Sequence, residues 1–117
     1  MHKPFRQWNG SAHARRLALA SVCTWALFSM GAGAIAATHT VIIEGLKYTP
    51  ETLTVKRGDT VVWINKDPFP HTVTAKGVVD SRSIDAGRSW KYTARRVGEH
   101  AYICTFHPNM KGTLRVE

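Results

Sequence analysis

Cysteine is nearly missing from this chain. It has two in 117 residues, and only Cys104 lies beyond residue 23. A disulfide framework, the usual staple of a small exported domain, is therefore out of reach for most of the sequence. Methionine is just as scarce, with Met110 alone after Met30. No window past residue 37 carries a convincing helical period, which excludes a helix bundle or coiled coil. Repeats and low-complexity tracts are absent, so neither a solenoid nor a disordered binder is indicated. The arginine clusters and aromatic platforms of a nucleic-acid binder are missing too. Acids are few, 8 against 16 Lys and Arg, and none occurs in the first 37 residues.

That acid-free start reads as an export signal. Lys3, Arg6, Arg15 and Arg16 precede an apolar run from Leu17 to Met30, then small residues from Gly31 to Ala37. Ala34-Ile35-Ala36 forms an A-x-A cleavage signal, so residues 1–37 are expected to be a cleaved signal peptide. The cut falls after Ala36 or Ala37, and the sequence does not choose between them. Retention of Leu17 to Ala37 as an uncleaved anchor is the competing reading. Its richness in Ala, Gly and Ser favours cleavage. Cys23 leaves with the signal. Four basic residues leave too, so 80 residues remain, 38–117, and the net charge falls from +8 to +4. A single domain of that size is marginal by itself, and a tightly bound metal is a plausible staple.

The two scarce sulfur residues share one seven-residue segment, Cys104-Thr105-Phe106-His107-Pro108-Asn109-Met110. With His71 upstream, they offer two imidazoles, a thiolate and a thioether. Two imidazoles and a thiolate in a trigonal arrangement, with a weak axial thioether, suit a single copper ion cycling between its monovalent and divalent states. Candidate metal ligands are thus His71, Cys104, His107 and Met110, and the chemistry they suggest is electron transfer, not catalysis. A buried free thiol beside a core methionine is the bland alternative. An exported cysteine with no partner argues against it.

Beyond the signal the chain alternates short β-branched and aromatic runs with turns every eight to twelve residues, the pattern of a β-sandwich. Strands are expected at Val41–Glu44, Leu53–Lys56, Thr60–Asn65, His71–Thr74, Ser89–Thr93, Glu99–Cys104 and Gly112–Val116. The sequence from Asp67 to Pro70 reads as loop. The expected fold is all-β, a Greek-key β-sandwich in which His71 and the loop after Cys104 meet at one end.

Several segments carry a resemblance over the region 38–117. They are Tyr48 and Pro50, Gly58-Asp59-Thr60-Val61 leading to Trp63-Ile64-Asn65, Pro70-His71, Gly98, Tyr102 and the Cys104–Met110 segment. The chain resembles the small blue-copper proteins of the plastocyanin and azurin superfamily. Only Pro108-Asn109 separate His107 from Met110, which is the short loop of the amicyanin type. The resemblance implies a cupredoxin barrel with one type 1 copper. It also implies a periplasmic electron carrier that is no enzyme, acting as a monomer away from membrane and nucleic acid. Redox donor and acceptor proteins would meet it through a weak, transient interface near His107. A copper-handling protein, with the metal as cargo, is the alternative.

The chain departs from that type at Phe106, where proline is usual, and at His100, where tyrosine is usual. The Phe106 N–H is expected to point at the Cys104 sulfur. His100 reads as a core or corner residue, and His39 as a flexible terminal histidine able to bind stray copper or nickel. His107 should be the ligand nearest solvent. Phe69, Pro70, Phe106 and Pro108 would form an apolar collar around it, flanked by Lys66, Lys76 and Lys111.

Overall fold

In β4 (Thr60–Asn65), Val61, Trp63 and Asn65 are buried while the residues between them are half-buried, because side chains alternate across a strand. The same alternation runs through a computed structural model that describes residues 2–4, 10 and 35–117. Most of the expected signal peptide, residues 1–37, therefore lies outside the described residues.

β4 pairs in parallel with β1 (Thr38–Glu44) and antiparallel with β7 (Ser89–Thr93), and β2 (Lys47–Thr49) adds an outer edge to β1. The second sheet runs β3 (Thr52–Val55), β9 (His107–Val116), β8 (Gly98–Cys104), β5 (Thr74–Ala75) and β6 (Val79–Asp80). Every described element is a strand, and the two sheets enclose Val41, Ile43, Val61, Trp63, Tyr102, Leu114 and Val116. Full burial of each aliphatic side chain contributes about 1.5–3 kcal/mol.

An aromatic hub ties the sheets together. The Tyr102 ring lies edge-on to Trp63 at 5.7 Å and to Tyr48 at 4.7 Å, and Trp63 Nε1–H donates to the Tyr102 hydroxyl at 3.3 Å. Burial pushes the Tyr102 phenol up to about 12, so it stays protonated. Gly112 sits opposite Tyr102 in the ladder. A Cβ there would fall 2.3 Å from the ring, so only glycine leaves room for it.

The structure revises the expected strands most clearly in four places. His71 resumes no strand: it makes a single bridge to Ile84, and regular pairing begins only at Thr74. The segment after Cys104 is no open loop, because Cys104 pairs with His107 and β9 starts there. Turn residues Gly45 and Leu46 both adopt positive φ, 62° and 60°, and close a β1–β2 hairpin the sequence did not announce. Such a two-residue turn usually carries Asn-Gly, and leucine hides the signal. Finally, β1 extends back to Thr38, and His39 is not flexible: its Nε2–H donates to Asp59 at 2.9 Å.

Candidate metal centre

Asn65, the last residue of β4, is wholly buried and fastens the chain that leads to His71. Its amide nitrogen donates to the carbonyls of Phe69 (2.8 Å) and Ile84 (3.0 Å), while its side-chain oxygen accepts the Asp67 N–H at 3.0 Å. The turn through Asp67-Pro68-Phe69-Pro70 is thereby fixed from inside. The Ile84 bridge then aligns His71, with each residue's N–H donating to the other's carbonyl.

Asp67 sets the imidazole. Its Oδ2 accepts the His71 Nε2–H at 2.7 Å and the Leu46 N–H at 3.1 Å, and its Oδ1 accepts the Gly45 N–H at 2.7 Å. Burial alone would raise this carboxyl. The donations from Gly45, Leu46 and His71 outweigh it and hold the group below its ordinary value. With Nε2 protonated toward Asp67, the lone pair of His71 is on Nδ1. Carboxylates commonly orient a metal-ligating histidine in this way.

Cys104, the last residue of β8, is fully buried, and its Sγ lies 3.6 Å from His71 Nδ1 and 3.7 Å from His107 Nδ1. The three donor atoms all fall within 4.8 Å of one another. Bond lengths of roughly 2.0–2.3 Å, at angles of about 110–120° around one ion, place sulfur and nitrogen about 3.6–3.8 Å apart. The donor set therefore fits a single soft-to-borderline metal ion. Thr72 knits the two ligand segments together: its N–H donates to Cys104 Sγ at 3.3 Å, and its hydroxyl accepts the Thr105 N–H at 2.9 Å. The Tyr48 hydroxyl donates to the Thr72 carbonyl. Burial first, and the charge of Cys104 second, raise that phenol above its usual value.

Met110 projects from β9, is buried, and lines a cavity of about 400 Å³ with Leu46, Phe106, His107, Pro108 and Asn109. His107 is only half-buried, whereas His71, Cys104 and Met110 are buried, so it is the most exposed of the four expected ligands. Phe69 lies 5.2 Å from the His71 ring and 5.8 Å from that of His107. Phe69 and Phe106 are exposed, as are Pro70 and Pro108. Leu46 joins them at 45% exposure, a member of the apolar collar that the sequence did not reveal.

One expectation fails here. Among the described residues the backbone donor to Cys104 Sγ is Thr72, and the Phe106 N–H makes no hydrogen bond to that sulfur. The Phe106 ring is 53% exposed and belongs to the collar. His100 stands at a corner, with Nε2 bonded to the Arg96 carbonyl at 2.8 Å, away from the cluster. Asp67, Asn65 and Thr72 are the functional positions the sequence missed. In the sequence Asp67 reads as a loop residue, and Asn65 and Thr72 as members of expected strands, so none is assigned a role beside the cluster.

Comparison with known proteins gives a consistent picture. A family model described as "Cupredoxin-like domain" matches residues 17–116. The chain is 35% identical over 81 residues to amicyanin of Paracoccus versutus, covering 64% of this chain and 61% of that relative. It thus spans about three fifths of the length of that relative. It is 32% identical over 117 residues to amicyanin-alpha of Methylorubrum extorquens, covering 86% of this chain and 98% of that relative. Among solved structures, the copper(I) form of a methionine-to-alanine amicyanin variant superposes with a TM-score of 0.65. It shares 34% identity and covers 68% of this chain and 82% of that one.

Proposed function

This chain belongs to the cupredoxin-like family, and from that premise we propose that it carries single electrons between redox proteins outside the cytoplasm. His71, Cys104, His107 and Met110 hold one copper ion. Bound copper supplies a one-electron couple between its monovalent and divalent states. The observation that carries this reading is the convergence of one sulfur and two imidazole nitrogens at 3.6 and 3.7 Å, each on a braced segment. Bracing matters because electron transfer is slowed by whatever must rearrange. Asp67 fixes the His71 ring, the Thr72 N–H restrains the sulfur, and the tight Cys104–His107 turn sets the second imidazole.

The docking face is the collar of Leu46, Phe69, Pro70, Phe106 and Pro108 around the half-buried His107. An exposed apolar patch beside a buried redox centre offers a short route for the electron and a small contact that separates quickly. Lys47 and Lys111 line an adjoining cavity with Leu46 and Met110. With the mildly basic domain, they favour an acidic partner surface. The N-terminal signal directs export and is then cleaved off.

The absorption spectrum of the copper-loaded protein tests the proposal. An intense blue band that disappears in Cys104→Ala is expected. A colourless protein that binds copper only in its monovalent state would overturn electron transfer in favour of copper handling.

A further inference from the structure

At the end of β4 remote from the metal cluster, Asp59 is buried and receives three donors. Its Oδ1 accepts the Ala37 N–H at 2.9 Å, and its Oδ2 accepts the Lys56 N–H at 3.0 Å and the His39 Nε2–H at 2.9 Å. Among the described residues, Ala37 is the only donor to Oδ1. The grip extends one residue further, for the Thr60 N–H donates to the Ala37 carbonyl at 2.9 Å, and the β1–β4 register starts at Thr38. Ile35, two residues upstream, is 94% exposed. The chain thus joins the fold at Ala37. In the sequence, Ala34 and Ala36 stand three residues and one residue before the Ala36–Ala37 bond, where an export peptidase needs small side chains.

We propose that the mature protein begins at Ala37, and that its new α-ammonium docks on Asp59 Oδ1 as an ion pair. The inference rests on the reading of the first 37 residues as a signal and is independent of the copper reading. Hydrolysis of the Ala36–Ala37 bond consumes one water. The C–N bond breaks, the hydroxyl goes to the Ala36 carbonyl carbon, and Ala36 leaves as a carboxylate. The Ala37 nitrogen keeps its hydrogen, takes one from water and the proton released by the acid, and becomes an ammonium. No other atoms change hands.

Two physical arguments select this bond over the next one. Cutting after Ala37 removes both the nitrogen that fills Oδ1 and the carbonyl that accepts from Thr60, leaving the buried Asp59 Oδ1 and the half-buried Thr60 N–H without these partners. Cutting after Ala36 keeps both and replaces a neutral donor by a charged one, which strengthens the hydrogen bond to a carboxylate. The carboxylate is ready for it: the hydrogen bond from His39, then those from Ala37 and Lys56, lower its pKa to about 2, so it is ionised at neutral pH. Glu117 and Lys56 line the same cavity, of about 310 Å³, with opposite charges, so Asp59 is the carboxylate that selects the ammonium.

The test starts from the full chain, produced in a bacterium that exports it, with the copper-loaded protein recovered from the periplasm. Intact mass and N-terminal sequencing should give a single start at Ala37. A start at Thr38, or a retained leader, overturns the proposal. The ion pair is read separately by thermal midpoint, with Ala37 free or acetylated, in the native protein and in Asp59→Asn. Acetylation should lower the native midpoint by several degrees and the variant's by much less. Equal losses in both overturn the pairing. Should Asp59→Asn fail to fold, acylation kinetics of the native protein decide. The Ala37 amine should react roughly tenfold slower than the amine of a chain extended by two glycines, as a one-unit rise in amine pKa gives. Equal rates refute docking.

Discussion

Two buried aspartates flank β4, and each receives two backbone N–H groups and one histidine Nε2–H. Asp67 takes Gly45, Leu46 and His71; Asp59 takes Ala37, Lys56 and His39. The carboxylate–imidazole distances are 2.7 Å at Asp67 and 2.9 Å at Asp59. What separates the two ends is the other face of each ring. His71 is fully buried, and its Nδ1 looks at a thiol sulfur and a second imidazole. The His39 side chain is 27% exposed, and among the described residues no metal-ligating cluster includes it. A carboxylate–histidine pair is therefore a means of holding a ring still. It becomes part of a metal centre only where other donors converge on the free nitrogen.

The sharpest way to break the comparison is to remove the convergence itself. Cys104→Ala should abolish the blue band completely, while Asp59→Asn leaves band and potential unchanged, both read on copper-loaded protein by absorption and voltammetry. Loss of colour in Asp59→Asn would mean that the two ends are not independent. Asp67→Asn comes next. It keeps the shape but loses the charge that orients His71, and roughly a 10–100-fold loss of copper affinity is expected in a chelator competition. An unaltered affinity would show that the Ile84 bridge and Asn65 place His71 without Asp67.

Met110→Leu should retain copper and colour and raise the potential, because losing a weak sulfur donor disfavours the divalent state more. A potential equal to that of the native protein would exclude Met110 as the axial ligand.

The Asp59 end can be isolated by pH. Its carboxyl is lowered from 3.8 to about 2 on folding. Because the folded value is depressed, its contribution to stability is complete above the unfolded value and is lost as pH falls through the folded one. The difference in thermal midpoint between native protein and Asp59→Asn should therefore be constant near neutrality and vanish between about pH 4 and 2. A difference that persists below pH 2 would assign the effect to shape and not to charge. The smallest effect is expected at Leu46, whose φ of 60° is unusual for a branched side chain and strains the turn. Leu46→Asn should raise the midpoint slightly, since asparagine accepts that backbone more readily. It should also weaken partner association, measured as a slower bimolecular electron-transfer rate. An unaffected rate would remove Leu46 from the docking face.

Sequence alone carried the strand class and most of the interior, because alternation of apolar side chains is a local property. Thr60–Asn65 and Ser89–Thr93 needed no correction, and Trp63, Tyr102 and Leu114, each inside an expected strand, pack in the core. It also offered the four candidate ligands, since sulfur is so scarce here that Cys104 and Met110 stand out. Failures came where a side chain's partner is distant in sequence. The hairpin through Gly45 and Leu46 is held by Asp67, 22 and 21 residues away, so its own residues do not announce it. The donor to Cys104 Sγ comes from Thr72, 32 residues upstream, not from neighbouring Phe106. His39 read as a loose terminus because Asp59, 20 residues on, is what pins it.

By itself, then, the sequence determined a β-sandwich interior and a thiolate–imidazole–thioether segment, because hydrophobic alternation and donor chemistry are written residue by residue. Only the tertiary structure decided which aspartate orients the metal-facing histidine, which amide meets the sulfur, and where the chain joins the fold. Those choices depend on which backbone donors two packed sheets bring to one carboxylate, and chain spacing does not encode that juxtaposition.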